Sequence, residues 1–382
     1  MNRGRSLVVA ALALLALLAD VGAQAQVPEA RAIAEAKIRA IGRPIGLSRA
    51  NDASIYILVE SPEDGSTAGF RPHLLKVDRG GKVSPPIEIP RLSCPDDNQP
   101  LAYGMGYRHY RAPLSVLPSG EMLAVTTGGL CGVVGRFDAN GKLLGTKQLR
   151  WGSPLAFRGD VRIIEKSPDG SIVLSAGIAA AENDAWVVKV DAGGAVAWSR
   201  RLGVGELLAY KSAPDGSGQA LYGESSGNGS RYSLSLIDLK ANGTEERRVR
   251  LMQCQGCRST TGALLGSTAI YAPTKPSEFA TSGIEVFDRA GKRTGDRRWQ
   301  LGGEIDSLLV SGDRMIGLST ATDPLDTDGR IMSGIDATGT VRWRSPTMRI
   351  VDLAVSNDDI AVLVSGNDPA THDWRLLRYA SP

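Results

Sequence analysis

A short motif, Asp-x-x-Gly, recurs along the chain at a nearly constant interval, and this interval constrains the fold more than any other feature. A stretched copy of the motif runs from Asp238 to Gly243, and the regular copies begin at Asp78, Asp138, Asp191, Asp288 and Asp336. Successive aspartates are 47 to 60 residues apart. Such a period indicates one supersecondary unit that is copied several times, because a unit of this size cannot bury its apolar faces alone.

The clearest copy spans residues 161–202, where four short runs rich in Val, Ile, Ala and Trp are separated by turn residues. Two of the breaks are Pro168-Asp169-Gly170 and Asp191-Ala192-Gly193-Gly194. Proline presets φ and glycine accepts positive φ, so both breaks favour tight turns. Short runs with such punctuation are typical of strands and hairpins. Each copy is therefore predicted to be a four-stranded antiparallel meander.

The copies number seven, and together they predict an all-β fold, a seven-bladed β-propeller of four-stranded antiparallel blades. They lie near residues 45–90, 113–150, 160–202, 206–251, 258–301, 304–345 and 349–382. A pair of β-sandwiches or a β-solenoid is the alternative. A sandwich has no reason to repeat its turns so regularly, and a solenoid coil is much shorter.

The seventh copy lacks both the motif and a fourth strand, which would leave an open sheet edge that closed rings avoid. Residues 36–44 are long enough to supply the missing strand, although the Ala-rich residues 30–41 could equally form a short helix. We favour closure by an N-terminal strand. The predicted organisation is a signal peptide (1–25), an N-terminal segment (26–44) and a propeller domain (45–382).

Two copies carry a resemblance to known families. Residues 183–191, followed by Trp198, resemble a repeat of secreted bacterial β-propellers. Residues 336–343 are similar to blades of pyrroloquinoline-quinone dehydrogenases and of the outer-membrane assembly propeller of Gram-negative bacteria. The resemblance implies a fold and not one activity. Those dehydrogenases use two adjacent cysteines and an eight-bladed ring, which this sequence does not offer, so no cofactor is predicted.

The first 25 residues have the pattern of a secretory signal peptide. Arg3 and Arg5 precede an apolar core at residues 7–18, and Ala23-Gln24-Ala25 fits a cleavage site. We expect a periplasmic or secreted protein, and no later apolar run is long enough to predict a membrane span. Lys and Arg (44) nearly balance Asp and Glu (41), so nothing indicates a nucleic-acid partner.

Four cysteines in an exported chain predict two disulfides. We pair Cys94 with Cys131 and Cys254 with Cys257, since Cys94 lies in a long insert and Cys131 in a neighbouring loop. A redox or metal role for the Cys254-x-x-Cys257 pair stays open, although Arg258 stands where a haem site needs histidine. No metal site is predicted: the histidines are scattered, and Pro324 interrupts the calcium-like run of Asp323, Asp326 and Asp328.

Ligand binding is predicted on the face of the disc that carries the connections after the second and fourth strands, because their lengths vary. The insert at residues 91–112 belongs to this loop face, and its Tyr107 and Tyr110 form a candidate recognition surface unless the insert packs on itself. A second group of candidates starts the first strands around the central channel: Tyr110, Asp160, Glu206, Arg258, Glu304 and Arg349. These positions are equally typical of solvated strand ends.

The favoured function is a binding scaffold whose loop face holds a protein, an envelope component or a small polar ligand. The alternative is a hydrolase or lyase at the channel mouth, with Asp160, Glu206 or Glu304 as general base. Arg258 or Arg349 would then hold an anionic group of the substrate. A redox propeller is a third possibility that the cysteine spacing disfavours. No Ser-His-Asp order, phosphate loop or histidine cluster supports catalysis.

Overall fold

In the computed structural model, β-strands form the regular structure of the residues that it describes. These are residues 27–39, 42–62, 70–94, 113–128, 131–149, 161–167, 169–178, 184–225, 231–255, 264–266, 268–274, 283–297, 305–311, 314–320, 329–336, 340–356, 358–366 and 373–381. None of these ranges contains a helix, and hence none contains a helix that could cross a membrane.

The strands group into seven four-stranded antiparallel sheets, which are the blades. Blades 1 to 3 comprise β2 (Arg43–Arg49), β3 (Ile55–Pro62), β4 (Phe70–Val77), β5 (Ile87–Glu88); β6 (Leu114–Val116), β7 (Met122–Gly128), β8 (Cys131–Phe137), β9 (Leu143–Leu149); β10 (Val161–Lys166), β11 (Ile172–Ile178), β12 (Asp184–Val190) and β13 (Val196–Val204).

Blades 4 to 6 comprise β14 (Glu206–Ser212), β15 (Gly218–Ser225), β16 (Arg231–Leu239), β17 (Glu245–Gln255); β18 (Leu264–Leu265), β19 (Ala269–Thr274), β20 (Gly283–Asp288), β21 (Arg293–Arg297); β22 (Ile305–Ser311), β23 (Arg314–Thr320), β24 (Arg330–Ile335) and β25 (Val341–Arg344). Blade 7 combines β26 (Arg349–Val355), β27 (Asp359–Ser365) and β28 (Asp373–Ala380) with β1 (Ala34–Arg39).

The first strand of each blade contacts the first strands of the two neighbouring blades, and these contacts run through all seven blades back to the start. The seven sheets therefore form a closed ring with their first strands around a central channel. The predicted seven-bladed β-propeller is confirmed. Second strands such as β27 are buried along nearly their whole length, as expected for sheets packed between two others.

Closure by an N-terminal strand is also confirmed. β1 pairs antiparallel with β28, with Ala36 opposite Leu376 and Ile38 opposite Trp374. The strand covers Ala34–Arg39 and not the predicted 36–44, because residues 43 and 44 already belong to β2. Gly42 stands directly before β2, at a position where any Cβ would collide with the backbone of Glu60. Ala36 and Ile38 are buried in the cluster that joins blade 7 to blade 1, which explains why this segment is a strand and not a helix.

The connections after the first and third strands leave from one face of the disc, because alternate strands of a meander run in opposite directions. Eight of these turns hold a glycine with φ between 79° and 91°: Gly81, Gly120, Gly141, Gly170, Gly194, Gly216, Gly243 and Gly291. The motif aspartate accepts backbone N–H groups within the turn, as Asp138 does from Asn140 and Lys142. The repeated motif is therefore the signature of this tight-turn face.

The stretched copy at Asp238 was assigned wrongly. Gly243 does occupy the turn, but the turn starts at Lys240, and Asp238 lies within β16. The Asp238 carboxylate accepts hydrogen bonds from the side chains of Gln219 and Arg247. Asn242 supplies the side-chain oxygen that caps the N–H of Thr244. The chain could dispense with the aspartate here because an asparagine later in the turn accepts a backbone N–H.

The first turn of blade 1 departs from the glycine rule. Ala53, with φ of 63°, stands where blades 2 to 4 have Gly120, Gly170 and Gly216, and a side chain in this region costs about 1 kcal/mol. We expect Ala53→Gly to raise the free energy of unfolding by about 0.5–1 kcal/mol in a urea titration. This net gain is the relief of backbone strain minus the stabilisation that glycine gives to the more flexible unfolded chain. Ala241→Gly, at an exposed turn position without positive φ, is the control and should bring no gain. Equal effects of both changes would contradict the idea.

Candidate functional site

The loop face carries the ends of the first strands that the sequence pointed to. Glu206 is the first residue of β14 and Arg349 the first residue of β26, and both are partly exposed. Their use in binding stays a prediction. The other candidates, Tyr107, Tyr110, Asp160, Arg258 and Glu304, lie outside the described residues.

The cysteines are described only in part. Cys94 is 2% exposed and packs among apolar residues of blades 1 and 2, including Leu92 and Leu114. Cys131 begins β8 and Cys254 lies near the end of β17, so the backbones of both approach the loop face. The side chains of Cys131 and Cys254, and the whole of Cys257, lie outside the described part. Both pairings stay predictions.

Inside the ring, side chains of three first strands accept backbone N–H groups from the next blade. Asp352 Oδ2 lies 2.7 Å from the N of Leu47, and Ser48 Oγ lies 3.0 Å from the N of Val116. The Glu165 carboxylate lies 2.8 and 2.9 Å from the N of Ser212. First strands have one unpaired edge, where a buried N–H without an acceptor is costly. These cross-blade hydrogen bonds satisfy that edge at three blade junctions.

One lysine side chain reaches past an entire blade. Lys166 ends β10 of blade 3, yet its Nζ lies 2.5 Å from Ser48 Oγ in blade 1. The side chain therefore passes the first strand of blade 2, and the central channel offers the route. Glu165, the preceding residue, turns to blade 4 instead, because neighbouring positions of a strand point to opposite faces. The channel thus brings together Ser48, Lys166 and, from blade 7, Asp352.

Burial shifts the acidity of both charged groups in the channel. Asp352 is 3% exposed, and this burial raises its pKa to about 7, although the N–H groups of Leu47 and Leu353 and the charge of Lys166 oppose the rise. Burial likewise lowers the pKa of Lys166 to about 8, against the charge of Asp352. Lys166 nevertheless keeps accessible surface. The side chain is therefore surrounded by protein, which lowers its pKa, while part of the residue stays accessible to solvent.

Ser48 and Lys166 have the composition of a serine–lysine nucleophile pair. However, Ser48 is 1% exposed and its Oγ already accepts the N–H of Val116, so a substrate carbonyl has no route to this hydroxyl. The arrangement supports charge recognition by Lys166 better than nucleophilic attack by Ser48. Among the described residues, no group of three His, Cys, Asp or Glu side chains is placed to hold a metal ion.

The raised pKa of Asp352 predicts a specific pH dependence of stability. Between the ordinary value of 3.8 and about 7, the folded protein holds this proton more tightly than the unfolded chain does. The contribution of Asp352 to the free energy of unfolding therefore falls as the pH rises through this window. We expect Asp352→Asn to flatten the curve of urea midpoint against pH between these values. The exposed Asp358→Asn is the control, and identical curves for wild type and Asp352→Asn would contradict the assignment.

Sequence reasoning missed all three channel residues, although two signals were present. Asp352 interrupts the apolar run of residues 350–355, and a carboxylate within such a strand rarely lacks a special partner. Lys166 stands directly before the first turn of its blade, facing the channel, where Val116 and Ser212 occupy the equivalent positions. Variation in connection length indicates only the loop face, and these residues lie nearer the opposite end of the first strands.

A shallow cleft of about 350 Å³ opens on the tight-turn face between blades 2 and 3. Its walls include Leu117, Pro118 and Asp169, together with the ion pair of Glu121 and Arg136. The two hydrogen bonds of that pair, at 2.8 and 2.9 Å, already satisfy the charged groups that a polar ligand would address. The cleft therefore adds little to the case for a site on this face.

Comparisons with solved structures agree with the fold. A structure described as the Dos1 propeller is 11% identical, with a TM-score of 0.52, and the match covers 92% of this chain and 95% of that chain. The β-propeller domain of the Trilobed protease from Pyrococcus furiosus is 7% identical, with a TM-score of 0.55 and coverage of 88% and 95%. An oligogalacturonate lyase in complex with manganese is 11% identical, with a TM-score of 0.50 and coverage of 93% and 98%.

No protein-family model matches the chain, and no curated protein matches it. At these identities the structural similarity shows the fold alone. The class that the fold defines is thus the seven-bladed β-propeller. The resemblance to secreted bacterial and quinoprotein-like propellers stays a prediction from two blades.

Proposed function

We propose that this protein is an exported binding scaffold that holds its ligand on the loop face. The observation that carries the proposal is the difference between the two faces of the disc. The tight-turn face repeats one glycine turn, whereas the loop-face connections range from Gly205 alone to residues 89–113. Variable connections on a rigid scaffold are where binding residues concentrate.

The chemistry of the loop face supports a protein or envelope component as partner. The insert at residues 91–112 contains Tyr107 and Tyr110 beside arginines, and such side chains offer large contact areas with polar ends. Glu206 and Arg349 add one charge of each sign at the ends of the first strands. Such charges would orient a polar group of the partner near the channel mouth.

Export and disulfide formation belong to the same proposal. Residues 1–25 have the composition of a signal peptide, and an oxidising compartment would allow Cys94 to pair with Cys131. The burial of Cys94 next to residues of blade 2 supports this pairing. Peptide mapping of the non-reduced protein should yield one peptide pair that joins these two cysteines. A link from Cys94 to Cys254 or Cys257 would overturn the pairing.

The decisive experiment places a photo-crosslinking amino acid on each face in turn. In the cells that make the protein, substitutions at Tyr107 and Tyr110 should yield a discrete adduct of higher mass. Matched substitutions at Asn140 and Ala241, which are exposed in turns of the opposite face, should not. Adducts from the tight-turn positions alone, or from no position, would overturn the proposal.

Binding to small molecules is tested separately by thermal shift of the mature protein against glycans and metabolites. A ligand held at the channel mouth should lose its effect in Glu206→Gln and Arg349→Ala. The variants should melt close to wild type, because strand ends at a wet mouth bury little apolar area. Turnover of any panel compound that Glu206→Gln abolishes would replace the scaffold by the hydrolase or lyase alternative.

A further inference from the structure

We propose that the central channel contains an oxyanion site, in which Lys166 binds a carboxylate or phosphate group near the tight-turn end. This site lies at the opposite end of the first strands from Glu206 and Arg349. It is independent of the proposed loop-face function, since it would accept a small anion whether or not the loop face binds a partner.

The first argument is the incomplete set of partners around the Lys166 ammonium. Its one hydrogen bond in the described structure joins Nζ to Ser48 Oγ, and no described carboxylate forms an ion pair with it. An ammonium carries three N–H donors, so two remain for a ligand. Lys166 is an exposed residue, so solvent and small anions have access to its side chain.

The second argument concerns the neighbouring charged side chains that the structure describes, which contact other partners. Asp352 directs one carboxylate oxygen to the N–H of Leu47 and the other to the N–H of Leu353, so backbone dipoles offset its charge. Glu165 turns away to blade 4, where it binds Ser212. Arg49, at the same end of the ring, is bound to Asp359. Among these described residues, Lys166 is therefore the cation without a contacting anion.

The lowered pKa of Lys166 agrees with this geometry. Desolvation by the surrounding ring favours the neutral form of Lys166, and the charge of Asp352 opposes this shift only in part. A bound oxyanion would supply the missing partner and would raise the pKa again. The fixed hydrogen bond to Ser48 holds the ammonium in place and reduces the conformational entropy that binding would otherwise cost.

The test measures protection of Lys166 from reductive methylation with formaldehyde in the folded, full-length mature protein. At constant ionic strength, inorganic phosphate or acetate is added and each lysine is quantified by peptide mass spectrometry. At an anion concentration ten times its dissociation constant, methylation of Lys166 should slow about tenfold. Lys211, which is exposed on the first strand of the next blade, is the internal control and should react at an unchanged rate.

Protection by phosphate alone would assign the site to phosphate esters, protection by acetate alone to carboxylates, and protection by both to either group. A matched pair of variants adds an independent readout: phosphate or acetate should raise the melting temperature of Lys211→Gln but not of Lys166→Gln. Should Lys166→Gln fail to fold, the methylation of the wild-type protein decides. Equal rates with and without both anions, or a Lys166 that reacts only after unfolding, would overturn the proposal.

Discussion

A chain that lacks residues 27–39 is expected to lose its cooperative unfolding transition. Without β1, strand β28 would present an unpaired edge, and the apolar side chains on it and on blade 1 would face water. The deletion also removes Ala36 and Ile38 from the buried cluster between blades 7 and 1. We expect a broad transition in differential scanning calorimetry, a melting temperature lower by more than about 10 °C and binding of a hydrophobic dye.

Point variants test the packing of side chains on β1 while its backbone pairing with β28 is kept. Ile38 is 2% exposed, so Ile38→Ala should lower the free energy of unfolding by about 2–5 kcal/mol. Ile33 is 64% exposed and precedes the strand, and Ile33→Ala should change stability by no more than about 0.5 kcal/mol. A truncated chain that melts like the parent would show that β1 is dispensable for the ring.

Replacement of Asp359 by alanine is expected to produce the second large loss of stability, about 3–5 kcal/mol in a urea titration. The Asp359 carboxylate joins two arginines: Arg49 of blade 1 binds Oδ1, and Arg378 Nη1 of blade 7 lies 3.0 Å from Oδ2. Arg378 also donates to the backbone oxygens of Ala53 and Asp78 in blade 1. Removal of the carboxylate leaves two poorly hydrated guanidinium groups at the junction that closes the ring.

The same residue predicts how stability changes in acid. Burial alone would raise the pKa of Asp359, but the hydrogen bond and charge of Arg49, with Ser356 and Arg378, outweigh burial and lower it. The stabilisation is therefore complete above the ordinary aspartate pKa and is lost as the pH falls through the lower folded value. The deficit of Asp359→Ala should shrink in that acidic range. Asp358→Ala, an exposed neighbour, is the control, and a deficit of similar size there would contradict the network.

The architecture was predictable because the repeated elements are local. A tight turn needs glycine at one position and a side-chain acceptor near it, so turns such as residues 138–142 are visible in the sequence without knowledge of the partners. The same locality explains the error at Asp238. Its role is set by Gln219 and Arg247, which no spacing rule connects to the turn at Lys240.

The channel was not predictable from the sequence for the opposite reason. Lys166 meets Ser48, 118 positions earlier and two blades away, and Asp352 caps Leu47, 305 positions away, across the junction that closes the ring. Blade order predicts which strands are neighbours, but not that one lysine reaches past an entire blade. An aspartate in an apolar strand and a lysine directly before a first turn were the local clues, and they indicate an unusual environment without identifying the partners.

Blade 7 is assembled from strands that lie far apart in the sequence, and this separation orders events during synthesis. β1 precedes blades 1 to 6, and its partner, residues 373–380, follows them. The ring therefore cannot close on a nascent chain before residues 373–380 have been made. Until then β1 and the apolar side of blade 1 lack their partners from blade 7, and contacts at such a large sequence separation form slowly. Ring closure is consequently a late step in the folding of this domain.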